Sequence, residues 1–323
     1  MKNILLLHTG GTIAMSEDHE TGAVTPEGQN PLETNLKALE KHAKITSEQY
    51  VNIPSPHMTP KIMFELAKHV DEKIIKEKYD GVIITHGTDT LEETAYLLDL
   101  LIQTSIPVIV TGAMRSSNEM GADGPYNLLQ ALRVAICDEA YRKGVLIVLN
   151  DEIHTAKNVT KTHTSNIATF QSPQYGPIGT VTKRGVFFHH IPTKRDSYVI
   201  KKLSKKVLLL KAFAGMDDEL IQAVSSMKLD GVVIEAFGQG NLPPNMVPSL
   251  EKLLLNQIPI VLVSRCFNGI VQDTYGYDGG GRQLKKLGVI FTNGLNGQKA
   301  RLKLMVALEL TNNHDDLQEL FLN

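Results

Sequence analysis

The sequence predicts an α/β fold, with a mainly parallel sheet covered by helices in a larger N-terminal domain and a smaller α/β C-terminal domain. Short unbroken runs of aliphatic residues alternate with amphipathic helical patterns along the chain. The runs lack the alternation of a strand with one wet face, so they indicate strands covered on both faces, as parallel strands are. The 323 residues are 42% hydrophobic and 21% charged, which suits about two domains with cores of their own.

Each predicted element rests on its own pattern. The apolar runs that predict strands are residues 4–7, 82–84, 108–110, 145–149, 207–210, 232–234 and 260–263. The clearest helix begins at Thr59 and Pro60, because threonine is a good N-cap and proline fits the first helical turn. Further helical patterns cover about residues 91–103, 124–142, 218–227, 247–256 and 298–310. Residues 178–191 are predicted to form a β-hairpin.

The domain boundary is predicted from one segment that breaks this rhythm. Residues 191–206 are basic, contain a proline and show no hydrophobic period, which is typical of a linker. We therefore predict an N-terminal domain over 1–190, a linker over 191–206 and a C-terminal domain over 207–323. The two halves also share a local pattern, because Asp-Gly precedes one predicted strand in each, at 80–81 and at 230–231.

Charge and cysteine content exclude several classes of protein. The chain has 33 Lys+Arg and 35 Asp+Glu, a net charge of −2, whereas nucleic-acid-binding proteins usually carry a basic excess. Two cysteines are too few for a disulfide scaffold and favour a reducing compartment. The apolar run at residues 4–7 is too short for a signal peptide or a membrane span. We expect a cytoplasmic protein that binds neither nucleic acid nor a membrane.

Polar residues follow the predicted strands at the sheet edge where ligands bind in open α/β folds. These segments are residues 8–12 (HTGGT), 85–90 (THGTDT), 111–115 (TGAMR) and 150–151 (ND). They contain threonine hydroxyls, glycines and a carboxylate, but no Gly-x-Ser-x-Gly elbow and no P-loop. The chain also lacks a complete dinucleotide-binding pattern and the usual metal-ligand spacings. We expect neither a cofactor nor a metal.

The chemistry that these residues favour is a threonine-based hydrolysis. A threonine hydroxyl is a weak nucleophile at neutral pH and needs an adjacent base. A lysine can be that base only when it is neutral, and at an ordinary pKa of about 10.4 about one lysine in two thousand is neutral at pH 7. Burial or a cationic neighbour lowers the pKa of a lysine, but composition does not identify the lysine that is so placed.

Seven motifs occur in order over nearly the whole chain. They are residues 9–14 (TGGTIA), 86–90 (HGTDT), 112–115 (GAMR), 158–162 (NVTKT), 168–170 (ATF), 238–242 (GQGNL) and 295–301 (LNGQKAR). Together they resemble the bacterial-type L-asparaginase family. Because no leader sequence is expected, the chain looks like the cytoplasmic type of that family. One such motif alone would be weak, whereas the ordered set is specific.

The resemblance implies hydrolysis of the side-chain amide of L-asparagine to L-aspartate and ammonia by the N-terminal domain. Thr12 would be the nucleophile and would form a β-aspartyl ester, although Thr88 lies at the same site and could attack first. Lys161 would be the base and Asp89 the carboxylate that orients it. Backbone N–H groups near Gly11, Thr12 and Thr88 would stabilise the oxyanion.

The resemblance also implies how the substrate is held. The substrate-binding set would be Gly11, Ser55, Thr88, Asp89, Ala113 and Asn241. Asp89 would bind the substrate ammonium, Ser55 its carboxylate and the backbone of Ala113 its amide. Asn241 would reach the site of a neighbouring subunit, so the resemblance implies a homo-oligomer built as a dimer of dimers.

Two features depart from the family pattern. Many members have a tyrosine in the loop after the first strand, but residues 15–25 contain none, and Ala23 or Val24 takes its place. Either another hydroxyl takes over the alignment of Thr12, or no hydroxyl has this role. Pro56 follows Ser55 where many secreted members have glutamine. The residue donated across subunits in this family is not fixed by the sequence; the candidates are Asp273, Tyr275 and Asp278.

Three alternatives remain open at this stage. A broader glutaminase-asparaginase would use the same residues, because one methylene in a pocket changes discrimination by only about 1–3 kcal/mol. The amidase subunit of a tRNA-dependent amidotransferase carries an extra N-terminal module, which is not expected here because Met1 directly precedes the first strand. A non-catalytic amino-acid-binding protein would not need the full set of Thr12, Thr88, Asp89 and Lys161.

Overall fold

The computed structural model describes residues 1–18, 20–26, 31–192 and 194–322. Its strands are β1 (Asn3–His8), β2 (Met15–Glu17), β3 (Val24–Pro26), β4 (Lys44–Gln49), β5 (Gly81–Thr85), β6 (Val108–Thr111), β7 (Val145–Leu149), β8 (Glu152–Thr155), β9 (Thr160–Lys161), β10 (Phe170–Gln171), β11 (Gly179–Thr182), β12 (Gly185–Phe188), β13 (Val207–Lys211), β14 (Gly231–Ala236), β15 (Ile260–Ser264) and β16 (Ile290–Phe291). Its helices are α1 (Glu33–Leu39), α2 (Pro60–Glu77), α3 (Leu91–Leu101), α4 (Gly124–Ala135), α5 (Glu219–Ser225), α6 (Val247–Leu255), α7 (Gly281–Lys286), α8 (Gly297–Leu310) and α9 (His314–Leu322).

The chain divides into two compact units, Met1–Ser197 and Tyr198–Asn323. This division lies inside the segment 191–206, which the sequence marks as a linker. Thr193 of that segment lies outside the described residues. Arg195 of the same segment belongs to the first unit. Its guanidinium donates to the Asp99 carboxylate at 2.8 Å and to the Ile102 carbonyl at 2.6 Å.

The first unit is built on one large sheet. Among the described residues its eight strands follow the order β12-β11-β8-β7-β6-β5-β1-β4. Five neighbouring strands, β4, β1, β5, β6 and β7, pair in parallel. The strands β8, β11 and β12 extend the sheet beyond β7 by antiparallel pairing. The prediction of a mainly parallel sheet is therefore confirmed, and the predicted hairpin is β11–β12.

Helices cover both faces of this sheet. Alternate strand residues such as Leu6 and Ile83 pack with α1 and α4 in one apolar core. The residues between them, such as Leu5 and Val82, are also fully buried. Parallel strands that are covered on both faces must be apolar at every position, which explains the unbroken runs in the sequence.

The second unit repeats this plan on a smaller scale. In the part of it that the structure describes, four strands pair in parallel in the order β13-β14-β15-β16. One face carries a core with residues from α5 and α6, such as Ile221 and Leu250. The long helix α8 packs against β13, β14 and β15. The predicted smaller α/β domain is confirmed.

The shared Asp-Gly pattern has the same structural role in both units. Asp80 accepts a hydrogen bond from Asn3 N at 2.7 Å and returns one from its own N–H to Asn3 O. Asp230 exchanges the same pair of hydrogen bonds with Lys206, at 2.8 and 2.9 Å. In each unit the aspartate therefore fixes the start of the first strand against its neighbour.

Three details differ from the sequence prediction. The helix predicted over 124–142 ends at Ala135, and a short 3-10 turn, Asp138–Ala140, follows. The edge strand β4 was not predicted, because its residues are mostly polar. Asn150 and Asp151, which the sequence places among the polar segments at the ligand-binding edge, form the two-residue turn between β7 and β8. Both residues have positive φ, as such hairpin turns require.

Candidate active site

The site is centred on the tips of β1 and β5, which are neighbours in the sheet. The chain leaves β1 through Gly11, whose φ is +82°, and a Cβ at this position would lie 2.1 Å from Gly87 Cα. Only glycine allows both this conformation and this approach. Because the two backbones touch here, Thr12 and Thr88, the next residue in each loop, are brought to the same sheet edge.

Lys161 provides the most informative contact of the site. Its ammonium Nζ donates to Thr88 Oγ1 at 3.0 Å and to Asp89 Oδ1 at 2.7 Å. The Lys161 side chain is 15% exposed and that of Asp89 59% exposed. The structure thus joins three of the four residues for which the resemblance implies catalysis, and it places the amine within proton-transfer distance of a threonine hydroxyl.

Ser55 joins the same site from a short 3-10 turn, Ser55–His57. Its buried hydroxyl accepts a hydrogen bond from Asp89 N at 3.2 Å, and its carbonyl accepts one from the Thr90 hydroxyl at 2.8 Å. A Cβ on Gly87 would lie 2.7 Å from Ser55 Cβ, so the two segments are in close contact. Since Ser55 Oγ is used as an acceptor, its proton is available to a carboxylate.

The backbone N–H groups at the strand tips differ in whether they already donate a hydrogen bond. Gly11 N donates to Ile53 O at 3.1 Å, so this N–H is already engaged. The backbone N–H groups of Thr12 and Thr88 make no hydrogen bond to any residue that the structure describes. These two N–H groups, unlike that of Gly11, are therefore open to a further acceptor.

Ala113 follows β6 and is buried beside the other strand tips. A Cβ on the preceding Gly112 would lie 3.4 Å from the Thr88 methyl group. Asn127 of α4 donates to Gly112 O at 3.0 Å, while the Asp123 carboxylate accepts from the backbone at residues 114–115. The start of α4 therefore fixes the loop that carries Ala113.

Two buried histidines lie under the strand tips. His86 Nδ1–H donates to Gly87 O and its Nε2 accepts from the Thr94 hydroxyl, both at 2.8 Å. His8 Nδ1 shares a hydrogen bond of 2.8 Å with the Thr85 hydroxyl. Burial lowers the pKa of each histidine to about 4, because an imidazolium would lose its hydration there. Both rings are therefore neutral and act as fixed hydrogen-bonding groups.

The loop between β1 and α1 is arranged as a short hairpin. The strands β2 and β3 pair antiparallel, and β2 is attached to the loop after β6 by Ser117 N, which donates to Met15 O at 2.9 Å. Val24 is exposed at the position where the family pattern would place tyrosine. Among the described residues no hydroxyl forms a hydrogen bond with Thr12. His19 of this loop lies outside the described residues.

A cavity of about 290 Å³ opens beside the lysine and is lined by residues 161–164 and Asp89. His163 in this lining accepts hydrogen bonds at Nδ1 from Ser165 N and Asn166 N, both at 3.0 Å. The proton of its ring is therefore on Nε2 in the neutral form.

Asn241 belongs to the second unit. There its Oδ1 accepts a hydrogen bond from Gly281 N at 3.2 Å. The three candidates near it, Asp273, Tyr275 and Asp278, are exposed in the same unit. The structure of a single chain thus brings together Gly11, Thr12, Ser55, Thr88, Asp89, Ala113 and Lys161, but it does not test the role of Asn241.

The described residues show neither a metal-binding cluster nor a membrane-spanning helix. Within residues 1–18, 20–26, 31–192 and 194–322, no group of three or more His, Cys, Asp or Glu could hold a metal ion. Over the same ranges, no helix has the length and apolar character needed to cross a bilayer.

Sequence reasoning missed Glu92, which contacts the strand that carries Lys161. Its Oε1 accepts from the Thr160 hydroxyl at 3.0 Å and from Lys161 N at 3.2 Å. The available signal was its place two residues after the HGTDT motif, which ends at Thr90. That signal is weak, because a glutamate in the first turn of a helix is usually explained by the helix dipole.

Similarity to known proteins extends over nearly the whole chain. Residues 3–194 match the family described as asparaginase, N-terminal, and residues 206–321 match the glutaminase/asparaginase C-terminal domain. A probable L-asparaginase from Deinococcus radiodurans is 38% identical over 99% of this chain and 97% of its own length. L-asparaginase 2 from Escherichia coli is 34% identical, with 99% and 93% covered.

A glutaminase-asparaginase from Acinetobacter glutaminasificans is 32% identical over 99% of both chains. Among solved structures, a probable cytoplasmic L-asparaginase from Campylobacter jejuni superposes with a TM-score of 0.89, at 35% identity and over 99% of each chain. Both domain families match in order and full-length relatives exceed 30% identity, so the chain belongs to the bacterial L-asparaginase family.

Proposed function

We propose that the protein hydrolyses the side-chain amide of L-asparagine to L-aspartate and ammonia, with a threonine nucleophile and a β-aspartyl-enzyme intermediate. Family membership supports the reaction, since relatives over the full length are named L-asparaginases. The observation that supports the mechanism most is the contact of Lys161 Nζ with Thr88 Oγ1 at 3.0 Å. A neutral amine at this place can take the proton of a hydroxyl as that hydroxyl or a bound water attacks.

The proposed reaction has two displacements. In the first, Thr12 Oγ1 bonds to the amide carbon and the C–N bond breaks; the hydroxyl proton leaves with the amide nitrogen as ammonia. In the second, water attacks the ester carbon, and the bond to Thr12 Oγ1 breaks with return of a proton to that oxygen. Lys161 and Thr88 form the proton-transfer pair, and the free N–H groups of Thr12 and Thr88 face the developing oxyanion. Two easier steps thereby replace one amide hydrolysis.

The assignment of Thr12 rather than Thr88 to the first attack is part of this proposal. Thr88 already has Lys161 as a partner, which suits a role in proton transfer. The Thr12 hydroxyl makes no hydrogen bond to the described residues and is free to approach a substrate carbonyl. The reverse order, with Thr88 as the nucleophile, is the alternative that the test below separates.

The same site suits a zwitterionic amino acid. The exposed Asp89 carboxylate can bind the substrate ammonium, and the Ser55 hydroxyl can donate to its carboxylate. The backbone at Ala113 lies at the tip of β6, where it can contact the leaving amide. A longer substrate adds one methylene, so glutamine hydrolysis is the second candidate function, favoured by the similarity to a glutaminase-asparaginase.

The proposal includes a homo-oligomer, a dimer of dimers, and a cytoplasmic location. Asn241 would complete the site of a neighbouring subunit, as the family resemblance implies. The location is supported by the similarity to the probable cytoplasmic protein of Campylobacter jejuni. Domains over 1–190 and 207–323 joined by 191–206 remain part of the same proposal.

The test compares initial rates of ammonia release from asparagine and glutamine for the purified protein and three variants. We expect Thr12→Ala to lose at least about a thousandfold in kcat, as removal of a covalent nucleophile does. Thr182→Ala, in the β11–β12 turn, is the matched control and should keep wild-type rates.

In Thr88→Ala an acid quench should still trap an ester on Thr12, detected by mass spectrometry. An ester found on Thr88 in the wild-type protein would reverse the assignment, and absence of ammonia release would reject the function.

A further inference from the structure

Lys161 is carried by one of the shortest strands of the fold. β9 contains only Thr160 and Lys161, and it pairs with the equally short β10. This pairing contributes few hydrogen bonds, and β9 lies outside the large sheet. The position of Lys161 must therefore depend on contacts other than a sheet ladder.

Glu92 provides such a contact. It is the second residue of α3 and only 5% exposed, and its Oε1 accepts two hydrogen bonds from β9. One comes from the Thr160 hydroxyl at 3.0 Å and the other from the main-chain N–H of Lys161 at 3.2 Å. A carboxylate at this position also lies in the first turn of α3, where the helix dipole favours an acidic side chain.

The same helix also fixes the partners of the lysine side chain. Thr88 and Asp89 directly precede α3, and Thr94 of its first turn holds His86, which in turn holds Gly87 O. One helical turn therefore fixes the main chain of Lys161 on one side and the loop with the Thr88 hydroxyl on the other. The distance of 3.0 Å between the two functional groups depends on both attachments.

We propose that Glu92 is a positioning residue for Lys161: its Oε1 holds the main chain of β9 so that Nζ stays within proton-transfer distance of Thr88 Oγ1. This inference rests on the proposed function of Lys161. It assigns Glu92 no contact with the substrate. Its acceptor oxygen is what matters, because the two donors of β9 are neutral groups.

Loss of the Glu92 acceptor should affect kcat rather than KM. Without the acceptor, β9 can shift, and displacement of a catalytic group by about 1 Å can cost about a hundredfold in rate. We expect Glu92→Leu to lower kcat for asparagine at least about tenfold while KM changes less than about threefold. Glu92→Gln keeps an acceptor oxygen, so its kcat should be at least about threefold higher than that of Glu92→Leu. Thr160→Val removes one of the two donors and should give an intermediate loss in kcat.

Three controls make the test specific. Leu100→Ala, at a buried position in the last turn of α3, should lower the stability of the same helix far from Glu92, which lies in the first turn. Wild-type protein, Lys161→Met and the double variant Glu92→Leu/Lys161→Met complete a double-mutant cycle. Because Glu92 acts through Lys161, the double variant should be no slower than Lys161→Met alone. Thermal unfolding of each variant shows whether it is folded at the assay temperature.

The outcomes separate this inference from the proposed function. Failure of the wild-type protein to release ammonia would reject the function. With an active wild type, the inference is overturned if Glu92→Leu keeps kcat within about twofold, or if Glu92→Gln is as slow as Glu92→Leu. Loss of activity in Leu100→Ala equal to that in Glu92→Leu, or additive losses in the double variant, would show a general structural role instead. Should Glu92→Leu not fold, an unchanged kcat in Thr160→Val overturns the inference.

Discussion

At the scale of single residues, the site depends on one amine with two different neighbours. Asp89 is largely exposed and can exchange its hydrogen bond with water, whereas Thr88 is buried. The contact with Thr88 is therefore the persistent one. A charged amine in this position donates to the threonine, and a neutral amine can accept the threonine proton. The proposed chemistry requires the second state, in which the amine is ready to act as a base.

Replacement of Lys161 tests that requirement. Lys161→Met keeps the length of the side chain and removes the amine, so we expect kcat for asparagine to fall by at least about a hundredfold, the usual range for loss of a general base. Lys161→Arg keeps a charge but cannot be deprotonated, and we expect a loss of similar size. The measurement is kcat from pH 6 to pH 9. Activity of Lys161→Arg within about threefold of wild type would show that charge alone suffices.

The residues of this site could be predicted only in part from the sequence. The positions of Thr12 and Thr88 follow from the rule that ligands bind at strand tips. Lys161 does not follow from it, because β9 has no apolar run and a lysine is ordinarily a surface residue. Its role was predicted from the family resemblance alone. The pairing of Lys161 with Thr88 needed coordinates, since the two residues are 73 positions apart.

At the scale of elements, the loops after β1 and β5 can meet only because each has a glycine at the contact. Gly11→Ala would combine a φ of +82° with a Cβ 2.1 Å from Gly87 Cα. Backbone atoms cannot move aside as a flexible side chain does, so we expect a loss of unfolding free energy above about 3 kcal/mol. Thermal or urea unfolding measures it. Gly22→Ala is the matched control, because its φ is +70° and, among the described residues, a Cβ there would meet just the Glu17 carboxylate, at 3.9 Å. The prediction is wrong if both variants lose the same stability.

The strands differ in how well their sequences indicate them. The central strands β1, β5, β6 and β7 each contain an unbroken apolar run, with polar residues only at their ends, and were predicted. β4 pairs in parallel with β1 at the sheet edge, where its side chains meet water, so its sequence KITSEQ has no apolar run. The short strands β9 and β10 are defined by tertiary contacts rather than by propensity, and no local pattern marks them. The helix predicted over 124–142 was too long, since no proline or glycine marks its end.

At the scale of the whole molecule, the fold buries polar groups directly beneath the site. His8 and His86 are almost fully buried, together with the threonines that hydrogen bond to them. Parallel strands that end at one edge leave backbone groups unpaired there, and these side chains satisfy part of that need. The same groups make the stability of the protein depend on pH, because a buried neutral histidine must be hydrated before it can carry a charge.

The sign of this dependence follows from the two pKa values. Burial lowers the pKa of His86 and of His8 from 6.5 in the unfolded chain to about 4 in the folded protein. The unfolded chain therefore binds more protons between these values, and the contribution to stability is complete above pH 6.5 and is lost as the pH falls toward 4. Two such groups give a slope of up to about 2.7 kcal/mol per pH unit in this window. Urea unfolding at pH 7, 6 and 5, at one protein concentration, measures the slope.

A substitution at His86 separates this effect from other acid-sensitive groups. Asparagine can still donate to Gly87 O but has no basic nitrogen, so His86→Asn lowers stability at pH 7 through the lost contact with Thr94. Its stability should then fall less steeply below pH 6.5 than that of the wild type, by up to about 1.4 kcal/mol per pH unit. His42→Gln, at an exposed position of the same unit, is the matched control and should leave the slope unchanged. Equal slopes for His86→Asn and the wild-type protein would show that His86 is not the buried neutral group that this argument requires.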